Sequence, residues 1–411
     1  MFNRKRKRKI PVAAIVTFFA INGLFISEKI SAQNVVQLPL DSVVNIALRN
    51  NPQIKAAELE IIRNQQLKKT SFNLPKTELF FENEDILGNT DDGILKIGIQ
   101  QGIEFPTTYI TKNKINNQNI VISETVLALT QKDLAKEVNS AYFDLIFAVN
   151  KKEILQKKDS LYTNYEEAAR ARYDAGETNY LEKISAEAKR KEVNLEYSNT
   201  ETEIIIAQSK LQQFMRVDFI VLPDVSKVTR LSFDNAALNM SHPFLSYYQQ
   251  QIELASYQKS LAKNNLLPDF SFRYFNQNLF GIDPGYKGYS IGIGVPIAFW
   301  SYTAQIKAAE TQKQIALVNY ENESIQFISA LAQLNLQYEI ANTTVQYLES
   351  TGLTQAEEIL RTAKTAYSAG EIGYFELIFA NEEYFNRQFN YLQALEDLNQ
   401  TIININYFIN K

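Results

Sequence analysis

Carboxylates at two glycine-centred turns are the first residues here with chemistry to offer. Asp174, Glu177 and Glu182 surround Gly176 in Arg172-Tyr-Asp-Ala-Gly-Glu-Thr-Asn-Tyr-Leu-Glu182. Glu371 and Glu376 surround Gly370 in Ala366-Tyr-Ser-Ala-Gly-Glu-Ile-Gly-Tyr-Phe-Glu376. Acids gathered at a turn concentrate negative charge, and such charge attracts cations. Little else in the chain is reactive. With no Cys and one His, a thiolate zinc site and a histidine cluster are both excluded. No nucleophile–base pair, phosphate loop or metal-ligand spacing stands out, so an enzyme is the least expected class and no cofactor or metal is expected. Glu357-Glu358 lies on a helical face and reads as a solvent contact. His242 precedes Pro243 and reads as a helix cap or a surface residue.

The two turns are copies of each other. Tyr173 falls on Tyr367, Gly176 on Gly370, Glu177 on Glu371, Tyr180 on Tyr374 and Glu182 on Glu376, always 194 residues apart. The same offset puts Ile97 on Ile291, Ile99 on Ile293 and Phe105 on Phe299, and one residue less puts Pro75 on Pro268. One long unit is therefore written twice. Each copy of the turn sits between long helical stretches and reads as the tip of a helical hairpin. Gly176 and Gly370 supply the positive φ that such a turn takes.

The flanking segments follow in the same order in both halves. Pro39 to Ser71 has helical periodicity with a break at Asn51-Pro52, and residues 234–267 mirror it with a break at His242-Pro243. Residues 95–105 alternate strictly, with Ile97, Ile99, Ile103 and Phe105 on one face and Lys96, Gly98, Gln100, Gly102 and Glu104 on the other. Residues 289–299 do likewise. Each has a partner strand, at 76–85 and 269–280, across turn-forming Gly, Asn, Asp and Pro. Strands of about 10 residues with one apolar and one polar or small face suit a bilayer crossing. Phe299, Trp300 and Tyr302 at one strand end, and Phe105 and Tyr109 at the other, read as an aromatic belt at a membrane interface. An ordinary half-buried sheet in a soluble domain is the rival reading. Then the period changes. Thr107 to Ala175 has no Gly or Pro, and Ile297 to Ala369 has only Gly352. Leu317, Tyr320, Ser324, Phe327, Leu331, Leu334, Tyr338, Ala341, Val345 and Leu348 form a heptad seam. A helix of about 65 residues is about 100 Å long.

Domain boundaries follow: 1–32 a signal peptide, 33–217 the first repeat (hairpin 76–105, helical hairpin 107–217), 218–233 a linker, and 234–411 the second (hairpin 269–299, helical hairpin 300–410). Residues 4–9 alternate Arg and Lys, an apolar run spans 10–26, and small residues lead to Ala32, where cleavage is expected. An uncleaved anchor helix is the alternative. No Cys follows, so no lipid anchor is expected there. Residues 1–32 hold seven of the 42 Lys/Arg and one of the 46 Asp/Glu. The rest is therefore acidic, which argues against a nucleic-acid partner.

Four membrane strands cannot close a barrel, since about eight is the smallest that can, and open edges in lipid are not tolerated. The chain must therefore associate. Three copies give a 12-stranded β-barrel continued by an α-helical barrel, so the expected fold class is mainly α with a membrane β part.

In this order and spacing, Asn51-Pro52, the two hairpins, the junction Glu104-Phe105-Pro106-Thr107, the two Tyr-x-Ala-Gly-Glu tips and the duplication resemble the TolC family of outer-membrane efflux proteins. Leu74-Pro75-Lys76-Thr77-Glu78 followed by Glu104-Phe105-Pro106 is similar to the CusC/CzcC-type heavy-metal subgroup, although the lipid-anchor Cys of several of its members is missing. The resemblance implies a homotrimer in outer-membrane lipid, with tips in the periplasm. It implies a membrane-fusion adaptor and a resistance-nodulation-division (RND) inner-membrane pump of the CusA/CzcA kind as partners. It makes Tyr173, Gly176, Glu177, Tyr180, Tyr367, Gly370, Glu371 and Tyr374 the adaptor-docking tip, and Asp174, Glu182 and Glu376 gate charges. Heavy-metal cations are the implied cargo. A drug-efflux or type I secretion duct, and more distantly a structural periplasmic coiled-coil protein, are the alternatives.

Overall fold

The computed structural model describes residues 35–84, 93–224, 227–232, 242–279 and 285–409. The expected signal peptide, most of the two hairpin turns and parts of the 218–233 segment lie outside the described residues.

The chain opens with β1 (Val35–Leu38), α1 (Leu40–Asn50) and α2 (Pro52–Lys68). Asn51 separates the two helices because its Oδ1 accepts the Gln53 N–H at 2.8 Å, a side-chain N-cap in front of Pro52. Next come β2 (Glu78–Asn83) and β3 (Ile94–Ile103). Pro106 then starts α3 (Pro106–Asp174), 69 residues and about 100 Å long. The chain turns and returns as α4 (Tyr180–Met215).

The second half repeats this as α5 (Pro243–Asn264), β5 (Asp269–Leu279), β6 (Tyr286–Gly294), α6 (Phe299–Tyr347), α7 (Leu353–Ser368) and α8 (Tyr374–Ile409). A single π-helical turn, Leu348–Gly352, interrupts the helix expected to run unbroken to Ala369.

The 218–233 segment is not only a linker. Within it, β4 (Ile220–Pro223) pairs in parallel with β1, Val35 opposite Ile220. The Tyr142 hydroxyl ties the pair to α3. It donates to Leu38 O at 2.9 Å and accepts from Asp224 N at 3.1 Å. The first core forms here, with Val43, Ala47, Leu145, Leu211, Met215 and Val221. A second core joins α6 to α8 through Leu331, Tyr338, Val345, Leu395, Leu398 and Ile402. The heptad seam is thus buried against α8 from Phe327 to Leu348, whereas Leu317 stays exposed.

The four long strands form one antiparallel sheet in the order β2-β3-β5-β6, so β3 against β5 joins the two repeats. Leu79, Phe81, Ile97, Ile99, Phe272, Ile291 and Ile293 share one face and all are exposed. Glu82, Lys96, Gly98, Gln100, Ser271, Arg273 and Ser290 share the other. There Arg273 pairs with Glu82 at 2.9 Å, donates to Gln100 and stacks over Phe80. Gly98 leaves no room for a side chain, since a Cβ would run into the Tyr274 carbonyl oxygen and lie 2.6 Å from the Phe80 ring.

Candidate functional site

Both tips are built by the same backbone device. At the first, Glu177 N–H bonds Arg172 O at 2.8 Å and Gly176 N–H bonds Tyr173 O at 3.0 Å. At the second, Glu371 bonds Ala366 O at 2.9 Å and Gly370 bonds Tyr367 O at 3.0 Å. This paired pattern satisfies the last carbonyls of a helix and needs a left-handed residue after its end. Gly176 supplies it with φ 76° and Gly370 with φ 75°. The chain then restarts. Asn179 caps α4 by accepting the Glu182 N–H at 3.0 Å, and the Glu376 carboxylate reaches back to the Gly373 N–H at 3.1 Å.

The tip acids do not form one set. Asp174, Glu177, Glu371 and Glu376 are exposed, and Asp174 has Lys183 at 3.7 Å. Glu182 is buried. Its carboxylate accepts from Arg172 at 2.8 Å and from the Thr178 hydroxyl. As a gate charge Glu182 is therefore a correction: Arg172 neutralises it and it faces no open space. The same guanidinium donates to the Tyr367 hydroxyl at 3.1 Å, which links the first tip to the second.

The four tip tyrosines also divide. Tyr173 and Tyr180 are exposed and meet edge to face at 5.9 Å, with the Lys183 ammonium 4.6 Å above the Tyr173 ring. Tyr374 is buried against Ala169 and Ala186, with Tyr165 edge-on at 6.3 Å. Its phenol is pushed up to about 12 by burial and by the Glu182 charge. Tyr374 thus packs the second hairpin onto the first and offers no outward surface. The expectation that all four tyrosines meet a partner is corrected for this residue.

Behind the tips lies a cluster that no spacing argument finds. Glu382 of α8 accepts from the Tyr162 hydroxyl of α3, and its Oε2 lies 3.4 Å from Lys158 and 3.3 Å from Lys189. Asn381 donates to Tyr165 at 3.1 Å beside it. Burial alone would raise the Glu382 carboxyl, but the Tyr162 hydrogen bond and the two ammonium groups outweigh it and hold the carboxyl low. Burial, together with Glu382, pushes the Tyr162 phenol up, so it stays a donor. The four residues tie α3 and α4 to α8. One signal was available: the repeat aligns Lys158 with Gly352 and Glu382 with Ala188, so charge in one copy meets small residues in the other.

At the sheet end the aromatics do not form one belt. Pro296 has no N–H to pair, and β6 stops at Gly294. Phe299 begins α6, so Phe299, Trp300 and Tyr302 occupy a first helical turn rather than a strand end. Phe299 and Trp300 are exposed; Tyr302 is half-buried. Phe105 precedes α3 and stacks on Phe270 at 6.0 Å. Tyr109 is buried. It stacks on Phe72 at 6.1 Å and its hydroxyl accepts the Glu104 N–H at 3.0 Å. Tyr109 therefore braces the strand-to-helix junction and is removed from the expected belt.

His242 is the N-cap of α5. Nδ1 accepts the Phe244 N–H at 3.2 Å and Nε2 lies 2.9 Å from Tyr407 O. The residue is fully buried, so the surface alternative fails. Among the described residues no group of three His, Cys, Asp or Glu side chains is placed to hold a metal ion. No described helix is long and apolar enough to cross a membrane.

Residues 237–410 match the family model of outer membrane efflux proteins. No curated protein matches the chain. Solved structures share its fold over most of its length. CusC, whose crystal structures concern folding and transmembrane channel formation, matches with a TM-score of 0.78 at 16% identity, over 92% of this chain and 93% of its own. The CmeC outer membrane channel of Campylobacter jejuni gives 0.72 at 16%, over 90% and 85%. The open state of the MtrE outer membrane channel of Neisseria gonorrhoeae gives 0.74 at 16%, over 90% and 88%.

Proposed function

We propose that this chain is the outer-membrane duct of a tripartite efflux system. One observation carries the reading. A four-stranded sheet with an exposed apolar face and two free edges runs directly into helices about 100 Å long. Such a sheet is stable in lipid only when its edges are paired. Three copies close it into a 12-stranded barrel, and the polar face with Arg273, Glu82 and Ser290 then lines a wet lumen. Phe299 and Trp300 sit where chain leaves lipid for water. The helices continue the lumen through the periplasm towards the tips.

The duct does no chemistry. An RND inner-membrane pump of the CusA/CzcA kind supplies the energy, and a membrane-fusion adaptor docks on the tips. Tyr173, Tyr180 and Tyr367, with Gly176, Glu177, Gly370 and Glu371, form the docking surface. Heavy-metal cations are the cargo. That choice is supported by the heavy-metal subgroup segments and by the exposed carboxylates Asp174, Glu177, Glu371 and Glu376, which favour cations at a narrow mouth.

Growth of a deletion strain on copper, silver, cobalt, zinc and cadmium, beside dyes, detergents and antibiotics, tests it. Sensitivity to metals alone, restored by the gene, is the expected result. Sensitivity to dyes and detergents with normal metal tolerance would replace the metal cargo with organic compounds. Normal growth throughout, with loss of a secreted polypeptide, would assign a type I secretion duct.

A further inference from the structure

The seam between α3 and α8 is tied by protein groups at two levels and lacks such a tie at a third. Nearest the tips, Lys158 of α3 meets Glu382 of α8 at 3.4 Å. Further along, Gln400 of α8 donates to Asp144 of α3 at 2.8 Å. At the third level, where the start of α1 and Leu231 close on the two helices, the seam holds a cavity of about 200 Å³. Its polar lining is Lys132, Lys136 and Asn139 from α3 and Asn406 from α8. Among the described residues, none of these four side chains makes a hydrogen bond or an ion pair.

This is an unfavourable arrangement for an empty cavity. Two lysines one helical turn apart repel each other. Both are half-buried, and cations withdrawn from water are normally paired. Burial pushes the Lys132 ammonium down. The Lys136 ammonium has only the Tyr407 ring, 4.8 Å away. Asp133 is turned to the Tyr407 hydroxyl and forms no ion pair with either lysine. Asp41, in the first turn of α1, and Glu137 are exposed. Asn406 holds a buried amide oxygen with no partner, and turning the amide over puts its N–H donors there instead. The cavity thus gathers cations and amides and supplies no anion.

We propose that this cavity binds a small tetrahedral oxyanion of the phosphate class, which closes the third level of the seam. Two ammonium groups match a doubly charged ion, and two amides supply further N–H donors for its oxygens. A carboxylate has two oxygens and one charge and fits this set less well. The volume is below about 300 Å³, where pockets for drug-sized ligands begin, so the ligand is an ion with a few waters. The ion bridges the first repeat, through α3, to the second, through Asn406. Its site lies on the helical body, away from the tips and the sheet, and it does not depend on the duct reading.

Thermal unfolding of the full chain in detergent tests this, with sodium phosphate compared against sodium chloride of equal ionic strength. A ligand that binds only the folded state raises the midpoint as its concentration grows. Phosphate should raise it above chloride, and isothermal titration should count one ion per chain. Lys132→Met should remove the rise. Without phosphate the same variant should unfold no earlier than the parent, because a partnerless cation is gone. A lysine with a merely structural role would cost stability in both buffers. Lys136→Gln should weaken phosphate binding about tenfold. Asn406→Asp sets a carboxylate in the cavity. It should raise the phosphate-free midpoint and abolish the phosphate response, and it reads the site even if Lys132→Met does not fold. A parent with no phosphate-specific rise would overturn the proposal. So would an equal rise in Lys132→Met, or an Asn406→Asp variant less stable than the parent and still responsive. Acetate giving the same rise as phosphate would overturn the tetrahedral class.

Discussion

Lys158 lies 3.4 Å from Oε2 of Glu382 across the seam between α3 and α8, and only 4% of its side chain meets solvent. Removing one partner of a buried pair strands the other charge, at a cost of about 3–5 kcal/mol. Glu382→Ala should therefore destabilise the protein by about that amount in denaturant unfolding. Removing both charges is milder, because Lys158 is no longer left buried without its partner and Lys189 keeps Glu192. Lys158→Met with Glu382→Gln, which keeps an acceptor for the Tyr162 hydroxyl, should recover most of the loss. If the single variant loses under about 1 kcal/mol, the pair does not hold the hairpins together.

The tip glycines should behave alike in both repeats. A Cβ on Gly176 or Gly370 would meet nothing within 4 Å, yet both residues have positive φ. The cost of Gly176→Ala or Gly370→Ala is then conformational, about 1–2 kcal/mol each. Asn tolerates this region better, so Gly→Asn should lose less. Thermal unfolding of the four variants checks both statements. Equal losses for Ala and Asn would point to a steric role instead.

The repeat, the two strand pairs and the tips are legible in the sequence because each is local: alternation, a Gly-free run or a Gly at a fixed offset. What escaped depends on distant partners. β1 and β4 are four residues each and pair across most of the first repeat, so neither carries a periodic signal of its own. Tyr109 reads as a belt aromatic from its place beside a strand. Its helical position instead turns it towards Phe72, which follows α2. Glu182 and Tyr374 read as equals of their repeat partners. The two hairpins pack on each other, however, so one copy of each pair lies inside while the other stays out. A duplicated sequence fixes equivalent backbones and leaves equivalent residues in different surroundings.

His242 should make stability fall in mild acid. Burial holds its imidazole below its ordinary value, and the Tyr407 carbonyl only partly offsets this. Its folded-state form is neutral, and Nδ1 must stay unprotonated to accept the Phe244 N–H. The unfolded chain takes up the proton near the usual histidine value of about 6.5. The contribution is therefore complete above that pH and is lost as pH falls through it. His242→Asn keeps a capping acceptor, as Asn51 does in the first repeat, and removes the titration. Unfolding free energy measured from pH 8 to pH 5.5 should slope less in this variant. An unchanged slope would assign the acid sensitivity to other groups.

Glu396 should act in the opposite direction. Burial first, then the charge and hydrogen bond of Asp144, raise its carboxyl to about 8. Gln400 and Lys210 also bond Asp144, at 2.8 and 3.2 Å. Glu396 stays protonated near neutrality and donates. In the unfolded chain it ionises at an ordinary carboxylate value, so across the interval up to pH 8 the folded state holds the extra proton. Stability then falls as pH rises through that interval and levels off above it. Glu396→Gln keeps the donor without the titration. It should be more stable than the parent at pH 8.5 and close to it at pH 5. The infrared carbonyl band of a protonated carboxylic acid should be present in the parent at pH 6, fade by pH 9, and be missing in the variant. A band absent from the parent at pH 6 would mean that Glu396 is ionised there, leaving Gln400 to tie α8 to Asp144 of α3.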